Sequence, residues 1–176
     1  MKIQNELCGH VSGGHGFETL KPRHASYVTL LQVWTHNGPG NHEVLRGIRL
    51  SWDSGERESH GTTSGRPQDE AVFAKHERIT EMIIWAGSWV DAISYKSTYL
   101  PQGRRLGGRG GRAYIQDKGN GDFLGFHGRA GSSIDALGSI FEIWRYHLCR
   151  LLSSLPRTTV AGLVSAGLHR GLRKYG

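Results

Sequence analysis

Cysteine is nearly absent from this 176-residue chain: only Cys8 and Cys149 occur, near opposite ends. They match no metal-binding spacing, and neither a thiolate metal site nor a cystine-stapled scaffold is expected. No apolar run is long enough to span a bilayer. None follows Met1 in the manner of a secretory signal, and no Asn-x-Ser/Thr acceptor occurs. These absences predict a cytoplasmic or non-classically secreted protein. No acidic residue occurs in 145–176, which carries Arg145, Arg150, Arg157, Arg170, Arg173 and Lys174. The formal charge is +7, and setting those six aside leaves +1 for residues 1–144. The basicity therefore belongs to the tail, and no nucleic-acid partner is expected from the global charge.

Catalytic signatures are also missing. No nucleophile-plus-base arrangement and no motif of paired carboxylates is present, so an enzyme is not expected. The ten histidines are scattered, with His36 and His42 flanking a Gly-Pro loop, and they suggest exposed or satisfied side chains rather than metal ligands. Neither a metal nor any other cofactor is expected. Gly107–Gly111 is followed by neither Lys-Ser/Thr nor a helix, so it reads as a turn between strands rather than a phosphate loop.

Glycine is abundant. The 26 glycines are roughly twice the usual share, and without a collagen-like period they point to tight turns between short strands. Runs such as Tyr27–Trp34, Ile48–Trp52, Ile79–Trp85, Ala92–Ser97 and Phe123–Gly128 are rich in β-branched and aromatic residues and end at turn clusters. With 37% hydrophobic and 21% charged residues, the composition is that of a folded domain with a core.

The strongest pattern is a repeat. Gly-Ser-Trp-Val-Asp-Ala-Ile at 87–93 returns as Gly-Ser-Ser-Ile-Asp-Ala-Leu at 131–137, a spacing of 44 residues. Each copy keeps glycine four residues before aspartate while the residues between them change. Repetition at such a spacing means one structural unit used more than once. A third, degraded copy aligns Ile48 with Ile93, placing Arg46 where Asp91 stands and His42 where Gly87 stands. The glycine clusters repeat as well: Gly61–Gly65 falls 46 residues before Gly107–Gly111, and Gly13-Gly14-His15-Gly16 looks like a further copy of the latter.

Taken together, the opening Gly-Gly-x-Gly, the segment Trp-Ala-Gly-Ser-Trp-Val-Asp-Ala-Ile, the Leu-Gly-Gly-Arg-Gly-Gly cluster and Gly-Phe-His-Gly-Arg-Ala-Gly-Ser-Ser-Ile-Asp-Ala-Leu-Gly resemble the jacalin-related lectins, mannose-binding type. The resemblance covers about residues 13–144, preceded by a loose lead-in, 1–12, and followed by a basic extension, 145–176, with no counterpart in the family. It implies an all-β fold, the β-prism I, with three four-stranded antiparallel sheets in pseudo-threefold symmetry. It also implies binding of mannose- or glucose-type glycans or glycoproteins without a metal.

The chemistry of the repeated loops fits that implication. A carboxylate can accept from two sugar hydroxyls at once, and charge-assisted bonds are the stronger kind. In one loop Gly131 would shape the turn, Asp135 would accept, and the Ser132, Ser133 and Ile134 backbone would line the site; the resemblance adds Gly13 and Gly14 beside it. In the other, Gly87, Ser88, Trp89, Val90 and Asp91 correspond, with Trp89 able to face the sugar's C–H side. Arg46 is expected to take no part in binding such sugars. A second reading makes the protein membrane- or polyanion-directed, using the prism as a targeting module. The cluster Arg104, Arg105, Arg109 and Arg112, or the tail, would then meet anionic glycans or lipids. Apolar residues in the tail fall at helical spacing around Pro156, but three glycines after Thr159 oppose a helix, so the extension reads as helical or disordered. A homo-oligomer is compatible with either reading.

Overall fold

The computed structural model describes residues 1–143, so the tail 145–176 and the expectations attached to it lie outside the described residues. The described residues are all-β. In chain order the strands are β1 (Lys2–Gln4), β2 (Cys8–Gly9), β3 (His15–Leu20), β4 (Val28–Asn37), β5 (Glu43–Trp52), β6 (Arg57–Gly61), β7 (Asp69–Val72), β8 (Ile79–Ala86), β9 (Val90–Ser97), β10 (Arg104–Gly107), β11 (Arg112–Ile115), β12 (Phe123–Ala130) and β13 (Ile134–Glu142). A single 3₁₀ turn, Pro39–Asn41, interrupts the link between β4 and β5.

Three long hairpins organise the molecule: β4–β5, β8–β9 and β12–β13. β8 alternates as a half-buried strand must, turning Met82, Ile84 and Ala86 inward, whereas β13 is buried along nearly all its length. Each hairpin is flanked by shorter, more polar outer strands. The orders are β6-β5-β4-β7, β10-β9-β8-β11 and β1-β13-β12-β3, with β2 also pairing β13. The three inner faces meet in one core. It contains Leu31, Val33, Ile48 and Leu50 from the first hairpin, Met82, Ile84 and Ile93 from the second, and Phe126, Ile134, Leu137 and Phe141 from the third, none more than 1% exposed. Fully burying one such side chain is worth about 1.5–3 kcal/mol, and no sheet could bury its face without the other two.

The first twelve residues differ from the expected lead-in. Lys2–Gln4 pairs with Glu142–Ile140, and Cys8–Gly9 pairs with Leu137–Ala136. Together they form one interrupted outer strand, so the third sheet is also four strands wide. The break is pinned by Asn5, whose Nδ2 donates to the Asp117 and Ser139 carbonyls at 2.8 and 3.2 Å. Pieces of three and two residues are too short for an alternation to show in sequence. This third unit is split: its outer strands come from residues 2–20 and its central hairpin from 123–142.

Candidate functional site

All three central hairpins carry the same defect at one end of the prism. In the second hairpin Trp85 pairs with Ala92 but Ala86 pairs with Val90, leaving Asp91 as an extra, unpaired residue. In the third, Arg129 pairs with Ala136 and Ala130 with Ile134, leaving Asp135. In the first, Trp34 pairs with Gly47 and Thr35 with Leu45, leaving Arg46. A β-bulge of this kind re-aims the side chain of its extra residue. The carbonyl of each bulged residue accepts a backbone N–H from the outer strand's exit: His10 to Asp135 at 2.8 Å, Gly108 to Asp91 at 2.9 Å and Thr62 to Arg46 at 2.8 Å. The residue just before each donor is a glycine with positive φ, at +115° (Gly9), +98° (Gly107) and +71° (Gly61). A Cβ there would collide with the bulged residue's carbonyl oxygen, so these positions require glycine.

The bulged Asp91 lies in a shallow depression of about 250 Å³ lined by His42, Val44, Gly87, Ser88, Trp89, Gly110 and Gly111. It is only 6% exposed. Burial raises its pKa, against the opposing pull of Arg105, the Gly87 N–H and His42. The Gly87–Trp89 loop closes by a Gly87 N–H bond to the Trp89 carbonyl at 2.9 Å. Opposite it, Arg105 donates from Nε to the Gly108 carbonyl at 2.7 Å and from Nη2 to the Gly110 carbonyl at 2.8 Å, while its guanidinium lies 4.1 Å from the centre of the Trp85 ring. Burial lowers the pKa of Arg105, opposed by Asp91.

The Asp135 loop closes in the same way, with Gly131 N–H on the Ser133 carbonyl at 3.0 Å. Gly13 and Gly14 face the Asp135 carboxylate: a Cβ on Gly13 would stand 2.9 Å from its Cγ, and one on Gly14 would overlap Oδ2. Their connection is held by Arg129, which donates from Nε to the Gly13 carbonyl and from Nη2 to the Gly14 carbonyl at 2.8 Å. The loop also rests on the first unit, where His36 Nε2 is 2.8 Å from Ser133 Oγ and Thr62 Oγ1 donates to the Ser132 carbonyl at 2.9 Å.

Two like carboxylates at equivalent bulges, each against a glycine pair, are an unusual construction, and comparison with known proteins places it. The Jacalin-like lectin domain pattern matches residues 8–140. The chain belongs to that family. No curated protein sequence matches it. Among solved structures the fold is similar to that of a lamprey immune protein, at 24% identity and TM-score 0.69, covering 81% of this chain and 44% of that one. This chain thus corresponds to less than half of the lamprey protein's length. It is also similar to Malaysian banana lectin, at 20% identity and TM-score 0.58, covering 82% and 99% of the two chains. A mannose binding jacalin related lectin from Ananas comosus follows at 16% identity and TM-score 0.60, covering 81% and 99%.

Within this jacalin-like domain the residues singled out in the sequence occupy three kinds of place. Gly13, Gly14, Gly131 and Asp135 come together at one bulge, and Gly87, Ser88, Trp89 and Asp91 at another. Ile134 and Val90 send fully buried side chains to the core and contribute only backbone, and Ser133 is buried against His36. The glycine alignment needs correction. Gly9, not Gly13, matches Gly107, and Gly13–Gly14 matches Gly110–Gly111, because His15 pairs with Ala130 as Arg112 pairs with Ala86. The Gly110–Gly111 pair behind Asp91 was therefore missed as part of the site, although its spacing within the 107–111 cluster held the signal. His42, aligned with Gly87 in the degraded repeat, and Val44, at the start of β5, were missed because they reach Asp91 from the neighbouring unit. The arginine cluster is not one free patch either. Arg105 is folded inward, Arg112 lies 5.7 Å from the Tyr114 ring centre, and Arg104 lies 3.8 Å from the Asp69 carboxylate.

Proposed function

We propose that this domain binds carbohydrate through two sites, centred on Asp91 and Asp135, and that its ligands are mannose- or glucose-type residues of glycans. The observation that carries the reading is the repeated pairing of a bulged carboxylate with two close-packed glycines. Each carboxylate can accept from vicinal hydroxyls, and the glycines leave the space for a sugar ring beside it. Trp89 supplies an apolar wall on one site only, so the two sites are not equivalent. Binding needs no metal: the groups supplied are a carboxylate and backbone amides, and among the described residues no three His, Cys, Asp or Glu side chains converge to hold an ion. The domain binds its ligand without transforming it.

Shallow polar sites of this kind bind weakly one at a time, with Kd on the order of millimolar, or about −4 kcal/mol. Two sites meeting one branched glycan would gain roughly 10²–10⁴ in avidity if the spacing permits. The test is titration of methyl α-mannoside into the wild type, Asp91→Ala, Asp135→Ala and the double variant. Each single variant should retain one site, and the double variant should be inert while folded. Wild-type affinity in the folded double variant would overturn the assignment.

A further inference from the structure

The first unit holds the third bulge, and its chemistry is inverted rather than lost. Arg46 occupies the position of Asp91 and Asp135, with the same bulge and the same carbonyl bond to the outer loop. The facing loop differs as well. Asp69 pairs with Val33, and continuing that register sets Pro67 opposite Thr35, so Gly65 and Arg66 stand where Gly110–Gly111 and Gly13–Gly14 stand. A glycine beside each aspartate is thus replaced by Arg66, which is exposed. The preceding Ser64 Oγ accepts from Arg46 Nη2 at 3.3 Å.

Arg46 is half-exposed and forms no ion pair among the described residues. One bond to a neutral hydroxyl leaves most of its five donors unused by the protein contacts described. A Cβ on Gly65, the counterpart of Gly110, would meet nothing within 4 Å, so the space beside the loop is open. In the Asp91 and Asp135 sites a carboxylate accepts from a ligand that donates. Here a guanidinium fork donates, and the ligand must accept with negative charge, the geometry a carboxylate or sulfate satisfies in two parallel bonds.

We infer that the Arg46 bulge, with Thr63, Ser64 and Gly65, is a third binding site, specific for an anionic substituent on a sugar, either a uronic carboxylate or a sulfate ester. This rests on the reading of the other two bulges as sugar sites. The occupant is a saccharide rather than a free anion because the Asp135 loop is seated directly on this unit, through His36–Ser133 and Thr62–Ser132. A glycan chain lying across the junction would place a neutral residue at Asp135 and an acidic one at Arg46. Asp135 repels an acidic residue and Arg46 attracts it, so the pair also fixes the direction in which the chain lies.

The test uses the full chain and NMR titration with methyl α-mannoside, methyl glucuronide, glucose 6-sulfate and inorganic sulfate. The proposal expects glucuronide and glucose 6-sulfate to shift resonances of the Thr62–Gly65 loop. It expects Arg46→Ala to weaken both by about tenfold or more while leaving mannoside unchanged. Arg46→Lys keeps a positive charge but lacks the guanidinium fork, and should retain part of the anionic-sugar binding that Arg46→Ala loses, which separates a ligand contact from a role in holding the loop. The Asp91→Ala/Asp135→Ala variant should lose mannoside and keep the anionic sugars. Mannoside binding that survives in that variant sinks the neutral-site reading alone. Anionic-sugar affinity that is unchanged in Arg46→Ala, or matched by inorganic sulfate at the same loop, overturns the Arg46 proposal.

Discussion

Gly110→Ala isolates what the close glycines do. Gly110 does not have positive φ, so alanine strains no backbone there, and the contacts its Cβ would make are Oδ1 of Asp91 at 2.6 Å and Cγ at 3.5 Å. To reach an ordinary 3.4 Å contact the carboxylate oxygen must move by about 0.8 Å, the difference between 3.4 and 2.6. Nothing in the fold resists this strongly, because the displaced group is the end of a side chain. Losing glycine's freedom in the unfolded chain even favours the variant by about 0.4–1 kcal/mol. Ligand binding, in contrast, depends on where that oxygen points. Misaligning a charge-assisted hydrogen bond forfeits about 1.5–3 kcal/mol, or roughly ten- to a hundredfold in affinity. The measurement is a mannoside titration in an Asp135→Ala background, so that only the Asp91 site reports, together with a thermal melt. The expected pair of results is an unchanged or raised Tm with affinity lower by about tenfold or more. Unchanged affinity in that background would refute the argument that the glycine exists to seat the carboxylate. The Asp135 counterpart, Gly13→Ala, should act the same way more weakly, since its Cβ stands 2.9 Å from Asp135 Cγ.

Further outcomes follow from charge and loop support. The raised pKa of Asp91 means that the folded state binds its proton more readily than the unfolded chain does. Stability from this group therefore falls as pH rises through the window above the ordinary carboxylate range, and Asp91→Asn should melt higher at neutral pH while losing its sugar site. In the Asp135→Ala background, mannoside affinity should decline on acidification while ordinary carboxylates are still ionised; a decline only within the ordinary range would contradict the burial argument. Arg105→Ala frees the Gly108 and Gly110 carbonyls and should cost about 1.5–3 kcal/mol in unfolding free energy, with faster amide exchange in 108–111. Excess EDTA should leave mannoside titrations unchanged, and restoration by calcium after their loss would contradict a metal-free site.

The sequence revealed what repeats in linear order. The 44-residue spacing of the Gly-x-x-x-Asp segments is the hairpin repeat itself, and the first unit's Arg46 was placed correctly because Ile48 and Ile93 share a register. Two kinds of feature stayed hidden. One is pairing between distant segments: residues 2–9 join β13 without enough length to alternate, and so read as a lead-in. The other is approach across segments: His42 and Val44 from around the start of the second strand of the first hairpin, and Gly110–Gly111 from a loop, all reach Asp91. The glycine clusters were misaligned because the connection from Gly9 to Gly14 is one residue longer than that from Gly107 to Gly111.

The split unit also sets an order of assembly. The sheet bearing Asp91 draws its strands from residues 79–115, so its pairings close over short stretches of chain. The sheet bearing Asp135 joins Lys2 to Glu142 and His15 to Ala130, so it cannot be completed until nearly all of the domain has been synthesised. Long-range pairing of that kind is slow to form. During synthesis the strands around Asp91 can therefore pair first, while Gly13 and Gly14 wait for their carboxylate. Because no sheet buries its face without the other two, the late closure of the split sheet sets when either carboxylate gains its finished surroundings.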